Sequence, residues 1–212
     1  HELGQLKKKY NVPLLIVDAV ASIGAAPVDG DGWNADIVLG GTQKALSLPP
    51  SQCFASVSPT AWEIIRDVDY VGYEAFKPYE NLAKTMAHPN TPDWNQVEAL
   101  NDVLDDILER EGLEKVYARH NAVAEFVRTE VSAAGYRLFP KAGAISSPSV
   151  SAIYVPEGRT FDEFNAAVRA EGMGIAGSFG KLDGKIFRLG HMGTQATFEN
   201  AAAALDVLKK VI

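Results

Sequence analysis

Two residues of opposite charge stand where short apolar runs end. Leu14-Leu15-Ile16-Val17 leads directly into Asp18, and the run from Asp36 to Leu39 leads into Gly40-Gly41 and then Lys44. In open α/β sheets ligands bind outside the carboxyl ends of the strands, so an acid and an amine are aimed at one crevice. Lys44 lies between Gly40-Gly41-Thr42 and Ala45-Leu46. An amine stripped of water by such neighbours is what Schiff-base chemistry needs. An acid at a strand end needs a partner if it is buried. The same two residues also read as a turn cap and a surface lysine, and their spacing alone leaves both readings open.

The elements that position this pair follow from periodicity and punctuation. Leu3, Leu6 and Tyr10 predict a helix over residues 2–11, ended by Pro13. Continuous apolar runs predict strands buried on both faces at 14–17, 36–39 and 52–57. Residues 19–34 read as loop, 59–68 as a helix, and 69–92 as a long loop of the kind that serves a function or an interface. Val97, Leu100, Leu104 and Leu108 predict a helix over 94–111, and Val116, Val123, Phe126 and Val127 another over 114–134, with Gly135 supplying its end. The remainder alternates: strands at 136–139, 149–155, 173–176 and 185–189, and helices at 161–171 and from 197 onward. The pattern predicts an α/β first part over residues 1–111 and a small α+β domain over 112–212, with the boundary near Gly112.

Composition sets the outer bounds. The 212 residues carry 20 Lys and Arg against 27 Asp and Glu, a net charge of −7, so a nucleic-acid footprint is not expected. Lys7, Lys8 and Lys9 form the one basic run, read as a solvated helix face. No apolar stretch reaches membrane-spanning length. His1, His88, His120 and His191 lack metal-ligand spacing, so no metal site is expected. His120 reads as a surface residue, whereas His191, three past Arg188, reads either as a substrate contact or as structural. The lone Cys53 reads as a buried inert thiol and suits a reducing, cytoplasmic setting. The chain opens on His1 with no capping residue before its first helix, which suggests a piece of something longer.

The literal sequence goes further. The run DAVASIGAAPVDGDGWNADIVLGGTQKALSLPP, Asp18 to Pro50, resembles fold-type I, class V aminotransferases of the alanine–glyoxylate, serine–pyruvate and pyridoxamine–pyruvate group. Asp18, Val20, Ser22 and Gly24 match one stretch of their signature. Thr42, Gln43 and Lys44 match a second, with Ser51 where the family usually has Gly. GKIFRLGHMG, Gly184 to Gly193, is similar to the strand that carries the family's substrate-carboxylate arginine, here Arg188, whose planar fork suits a carboxylate.

The resemblance implies a pyridoxal phosphate (PLP) enzyme with Lys44 as its catalytic lysine. Asp18 would face the pyridine nitrogen, Val20 one ring face, and Gln43 the phosphate or ring. Thr91, with His88 in a place where a Tyr is usual, would reach across a homodimer to the other copy's PLP phosphate. The substrates would be a small amino acid, of alanine or serine type, and a 2-oxo acid such as glyoxylate or pyruvate. The resemblance also implies that these residues are the C-terminal part of such a protein: part of a mostly parallel large domain, then the small domain. The family's phosphate-holding loop and ring-stacking aromatic lie upstream of the stretch matched here. Two alternatives stand beside it: another class V reaction, lyase or desulfurase in type, or an inactive chain that keeps only an oligomerisation surface. Gln43 and the buried reading of Cys53 speak against desulfuration.

Overall fold

Asn11, at φ 50°, ends the first helix, α1 (Glu2–Tyr10), in a left-handed turn, and the chain then extends through Pro13 into the first strand. The computed structural model describes residues 1–212. Strands β1 (Ile16–Asp18), β2 (Ile37–Gly41) and β3 (Cys53–Val57) form one sheet in that order. β1 runs parallel to β2, with Asp18 beside Leu39, whereas β3 returns antiparallel, with Cys53 opposite Gly41. The three strands thus hold one parallel and one antiparallel pairing. The segment joining β2 to β3 contains no crossover helix, and a direct return of the chain gives an antiparallel pair.

Burial corrects the expectation of three doubly covered strands. β2 alone is buried along its length; Ile16 in β1 is 57% exposed and all of β3 but Val57 is exposed. β1 and β3 are the outer strands, so only the middle one is flanked on both sides. Cys53 is therefore exposed, not buried. The first helix is tied to the sheet by a residue that periodicity does not single out. Asp36, 4% exposed, accepts the Leu15 N–H at 2.6 Å and the Ser58 hydroxyl at 3.2 Å and pairs with Lys7. Lys7 is thus a buried-side partner and not part of a solvated face.

Burial alone would raise the Asp36 carboxyl, but the Lys7 ammonium, the Leu15 N–H and the Ser58 hydroxyl outweigh it and hold it below its ordinary value. A carboxylate depressed in the folded state adds stability above its ordinary pKa of 3.8, and that stability is lost as pH falls through the lower folded value. Asp36→Ala is expected to lower stability near neutrality by about 1.5–3 kcal/mol, the scale for hydrogen bonds to a charged group. Denaturant titrations should show the gap between wild type and variant narrowing below pH 4. A gap that stays constant down to pH 2 would contradict this account.

After β3 come α2 (Pro59–Val68), a 3₁₀ turn (Lys77–Tyr79) and the short α3 (Leu82–Thr85) within the long segment, then α4 (Trp94–Asp105). Ser58 caps α2 by accepting the Ala61 N–H, with Pro59 at the first helical position. The helix expected over 94–111 changes character: Asp106–Glu111 is a π-helical stretch, closed by Gly112 at φ +88°. The apolar stripe of α4 is uncovered, with Val97 and Leu104 each 37% exposed and no buried residue in the helix.

The second half packs around α5 (Leu113–Ala133), which Gly135 ends at φ +92° as expected. Strands β4 (Val150–Tyr154) and β5 (Ile186–Gly190) form an antiparallel pair, with Ala152 opposite Arg188. The strands expected at 136–139 and 173–176 reduce to single bridges, Leu138 to Ile153 and Ala176 to Arg188. α6 (Phe161–Ala170) opens on a capping box between Thr160 and Glu163, and α7 (Phe198–Val211) on the cap Thr197. The main apolar cluster has 14 buried residues, all from Val123 onward. Phe164 and Phe187 sit at its centre, rings 5.0 Å apart. Tyr136 donates to the Leu208 carbonyl at 2.8 Å, and burial pushes its hydroxyl up to about 12. Around the first sheet the buried cluster is only Ala19, Ala35 and Val38.

Candidate functional site

The parallel pairing of β1 and β2 sets their carboxyl ends at one sheet edge, and both singled-out charges are there: Asp18 ends β1, and Lys44 lies three residues beyond Gly41. Asp18 is exposed. One carboxylate oxygen accepts the Val20 N–H at 3.0 Å, so it does cap the turn after β1, and the other oxygen has no partner in the protein. Lys44 is half-buried, and its amine makes no hydrogen bond or ion pair.

The loop carrying Lys44 is pinned at its base by Thr42, which is fully buried. Its hydroxyl donates to the Pro49 carbonyl at 2.7 Å, and its backbone N–H to the Gln52 carbonyl at 3.2 Å. Within the loop the Leu48 N–H reaches the Thr42 carbonyl at 3.1 Å, and the Ser47 N–H the Lys44 carbonyl at 2.9 Å. The left-handed residue is Ser47, at φ 58°; Ser51 takes no positive φ, so its replacement of the usual glycine carries no backbone strain.

Glycine at 41 marks a gathering point. A Cβ there would stand 2.7 Å from the Gln43 side-chain oxygen and 3.4 Å from a Val20 methyl. Val20 and Gln43 therefore converge beside the same strand end as Asp18 and Lys44. Val20 and Gln43 border this spot, Asp18 ends the neighbouring strand, and the loop with the half-buried, unpaired Lys44 follows directly. Such a set can hold a planar ring that bears an aldehyde and a basic nitrogen.

Arg188, in the middle of β5, is half-buried. Its backbone exchanges hydrogen bonds with Ala176 at 2.7 and 3.2 Å, and its Nε donates to the Gly177 carbonyl at 2.8 Å. The guanidinium lies 5.0 Å from the centre of the Phe179 ring, and both terminal nitrogens lack protein partners. That is a guanidinium steered from behind with its fork free for a carboxylate.

His88 and Thr91 are not brought to this edge by any contact. Both are exposed. His88 is bonded to Asn90 and packs edge-on against Tyr79 at 5.6 Å, and Asn90 donates to the Tyr79 hydroxyl at 2.8 Å. Cys53, although exposed, is fixed in the ladder opposite Gly41 and not carried on a loop. No group of three or more His, Cys, Asp or Glu side chains is gathered as a metal site.

Several residues that matter here have no sequence signature. Arg119 on α5 spends Nε and one terminal nitrogen on the two Glu111 oxygens, at 2.7 and 2.8 Å. Its remaining nitrogen goes to the Gly193 and Ala196 carbonyls, at 2.9 and 3.1 Å. His120, expected at the surface, is fully buried, because the turn after β5 closes over it. Ser47 accepts the Thr194 N–H at 2.9 Å. A cavity of about 490 Å³ lies between the Lys44 loop and the α4–α5 junction, lined by Leu46, Ser47, Ile107, Arg110, Arg119 and Thr194 among others. His191 is buried and pairs with the Ser151 hydroxyl at 2.9 Å; burial pushes it down to about 4, so it is neutral across the physiological range. Ser149 donates to the Ala21 carbonyl at 3.0 Å and so tethers the second sheet to the loop after Asp18.

No family model matches the chain. The chain is 39% identical over 198 residues to an uncharacterized aminotransferase of Methanocaldococcus jannaschii, covering 91% of this chain and 50% of that protein. It is 37% identical over 187 residues to the L-aspartate–glyoxylate aminotransferase of Paracoccus denitrificans, covering 85% and 46%. Among solved structures, the pyridoxamine–pyruvate aminotransferase of Mesorhizobium loti matches with a TM-score of 0.92 at 31% identity, over 99% of this chain and 54% of that one. The chain spans about half the length of the curated relatives it matches.

Proposed function

Because this chain is homologous to the class V, fold-type I aminotransferases along about half of their length, we propose that it is part of a PLP-dependent aminotransferase. The reaction moves an amino group from a small amino acid, of alanine or serine type, to a 2-oxo acid such as glyoxylate or pyruvate. The observation that supports the reading is that Val20 and Gln43 meet at Gly41, beside the strand end that Asp18 closes and at the start of the loop that carries Lys44. Relatives named for glyoxylate and pyruvate aminotransfer support the substrate class. The working unit is read as a cytoplasmic homodimer with shared sites, and Gly112 as the boundary between the two domains.

In this reading Lys44 holds the cofactor through Nζ, Asp18 keeps a proton on the ring nitrogen, and Val20 packs on a ring face. Gln43 helps orient the ring, and Thr91 and His88 reach the phosphate bound by a second copy. The bound cofactor supplies an electron sink for the carbanion formed at the substrate's α-carbon. Lys44 Nζ, when not holding the group, would remove the substrate's α-proton as a base and return a proton as an acid. Arg188 binds the substrate α-carboxylate and fixes its orientation. The exposed Cys53 does not favour desulfuration, since a strand ladder denies it the mobility that reaction asks of its thiol.

The test is borohydride reduction of the full-length protein with PLP, followed by peptide mass analysis. A reduced adduct on Lys44 is expected, together with conversion of alanine or serine to its oxo acid. No adduct at Lys44 overturns the reading.

A further inference from the structure

His120 sits at the junction between the two sheets, and its two ring nitrogens have fixed and different jobs. Nδ1 lies 2.8 Å from the Val116 carbonyl, which can only accept, so Nδ1 carries the hydrogen. Nε2 lies 2.9 Å from the Gly193 N–H, which can only donate, so Nε2 is the bare acceptor. The ring is therefore neutral and in one tautomer. Burial, which lowers its pKa, favours the same state.

Gly193 links the ring to Lys44. Its N–H is held by His120 and its carbonyl by Arg119, the preceding residue of α5. At φ +60° it lies so close to the Lys44 loop that a Cβ would stand 2.0 Å from Ser47 Oγ and 2.6 Å from the Ala45 carbonyl oxygen. The next residue, Thr194, donates its N–H to Ser47 at 2.9 Å. Ser47, left-handed, in turn donates its own N–H to the Lys44 carbonyl at 2.9 Å. Each link is a direct hydrogen bond or a close backbone approach, and the path from His120 to Lys44 has three of them.

We propose that His120 is a positioning residue for Lys44: as a neutral Nδ1–H imidazole it fixes the turn at Gly193–Thr194, and that turn, through Ser47, sets the backbone from which Lys44 projects. The proposal rests on the reading of Lys44 as the reactive lysine, but its structural half can be measured without it.

The test compares His120→Asn, His120→Gln and Ser47→Ala in the full-length protein, with and without PLP. Asn keeps a donor for Val116 and loses the acceptor for Gly193; Gln places an acceptor near the Nε2 position. Amide hydrogen exchange is the first readout. In His120→Asn, exchange over residues 42–52 and 193–196 is expected to rise about tenfold or more, the scale of one lost hydrogen bond, while the amides of β1 stay as in wild type. His120→Gln should stay within about twofold of wild type, and Ser47→Ala should free residues 42–52 without loosening α5. The second readout is kinetic: kcat falls about tenfold in His120→Asn, with KM for the amino acid little changed. Equal behaviour of the Asn and Gln variants, or loosening confined to α5 and 193–196, overturns the proposal. Should His120→Asn fail to fold, Ser47→Ala decides it alone, since Ser47 is exposed: unchanged exchange over 42–52 refutes the link. Failure of borohydride trapping at Lys44 in the wild type would count against the aminotransferase reading and leave the exchange result standing.

Discussion

Lys44→Ala in the full-length protein is expected to lower kcat by at least about 10³-fold and to abolish the borohydride-trapped adduct. Two roles fall on one nitrogen, covalent anchoring and proton transfer, so the loss exceeds that of a general base alone, which is typically about 10²–10⁴-fold. No other lysine is a candidate at this edge: Lys7 is committed to Asp36, and none of the rest lies between residues 10 and 76. Lys44→Arg should be equally inactive, because a guanidinium does not give up its proton in a protein and cannot serve as the base. A small primary amine in solution should restore part of the Lys44→Ala rate, since it can take over proton transfer. An Ala variant within tenfold of the wild type would mean that Lys44 is not the base.

Arg188→Gln is expected to cut kcat/KM for both the amino acid and the oxo acid by about 10–150-fold, the equivalent of 1.5–3 kcal/mol for hydrogen bonds to a charged group. Arg188→Lys should fall between, because it keeps the charge and loses the fork. The Nε bond to Gly177 and the Phe179 ring already restrict the guanidinium, so little ordering remains to be done when a carboxylate arrives. The control is an amine without a carboxylate. Its slow turnover should be the same in wild type and variant, and a parallel loss there would show that Arg188 supports the fold and not the substrate.

What could be read from the sequence was local in origin. The ends of α2, α6 and α7 follow from Ser58, Thr160 and Thr197, each an oxygen-bearing residue a few positions from the N–H it caps. The strand ends beside Asp18 and Lys44 were legible because a strand end is a local event, and the strand around Arg188 because its apolar run marks it. What could not be read depends on distant pairing. His120 meets Gly193 across 73 positions and Ser47 meets Thr194 across 147, and no periodicity encodes either contact. The exposure of β1 and β3, and with it that of Cys53, depends on which strand lies in the middle, which an apolar run does not specify. Residues 136–139 and 173–176 carry strand-like composition, yet each forms only a bridge, Leu138 to Ile153 and Ala176 to Arg188.

The unequal apolar clusters have a consequence for how the chain is made. The 14-residue cluster is closed by Leu205, Leu208 and Val211 of α7, and the Tyr136 and Arg159 side chains are satisfied only by the Leu208 and Val211 carbonyls. A ribosome moving at about 5–20 residues per second needs roughly 8–33 s to travel from Lys44 to Val211. For that interval Ser47 waits for a Thr194 not yet synthesised. The loop after β2 thus waits for a partner translated 147 positions later. A nascent chain stalled before α7 should present Phe164 and Phe187 to chaperones, since Leu205, Leu208 and Val211 complete the cluster that buries them.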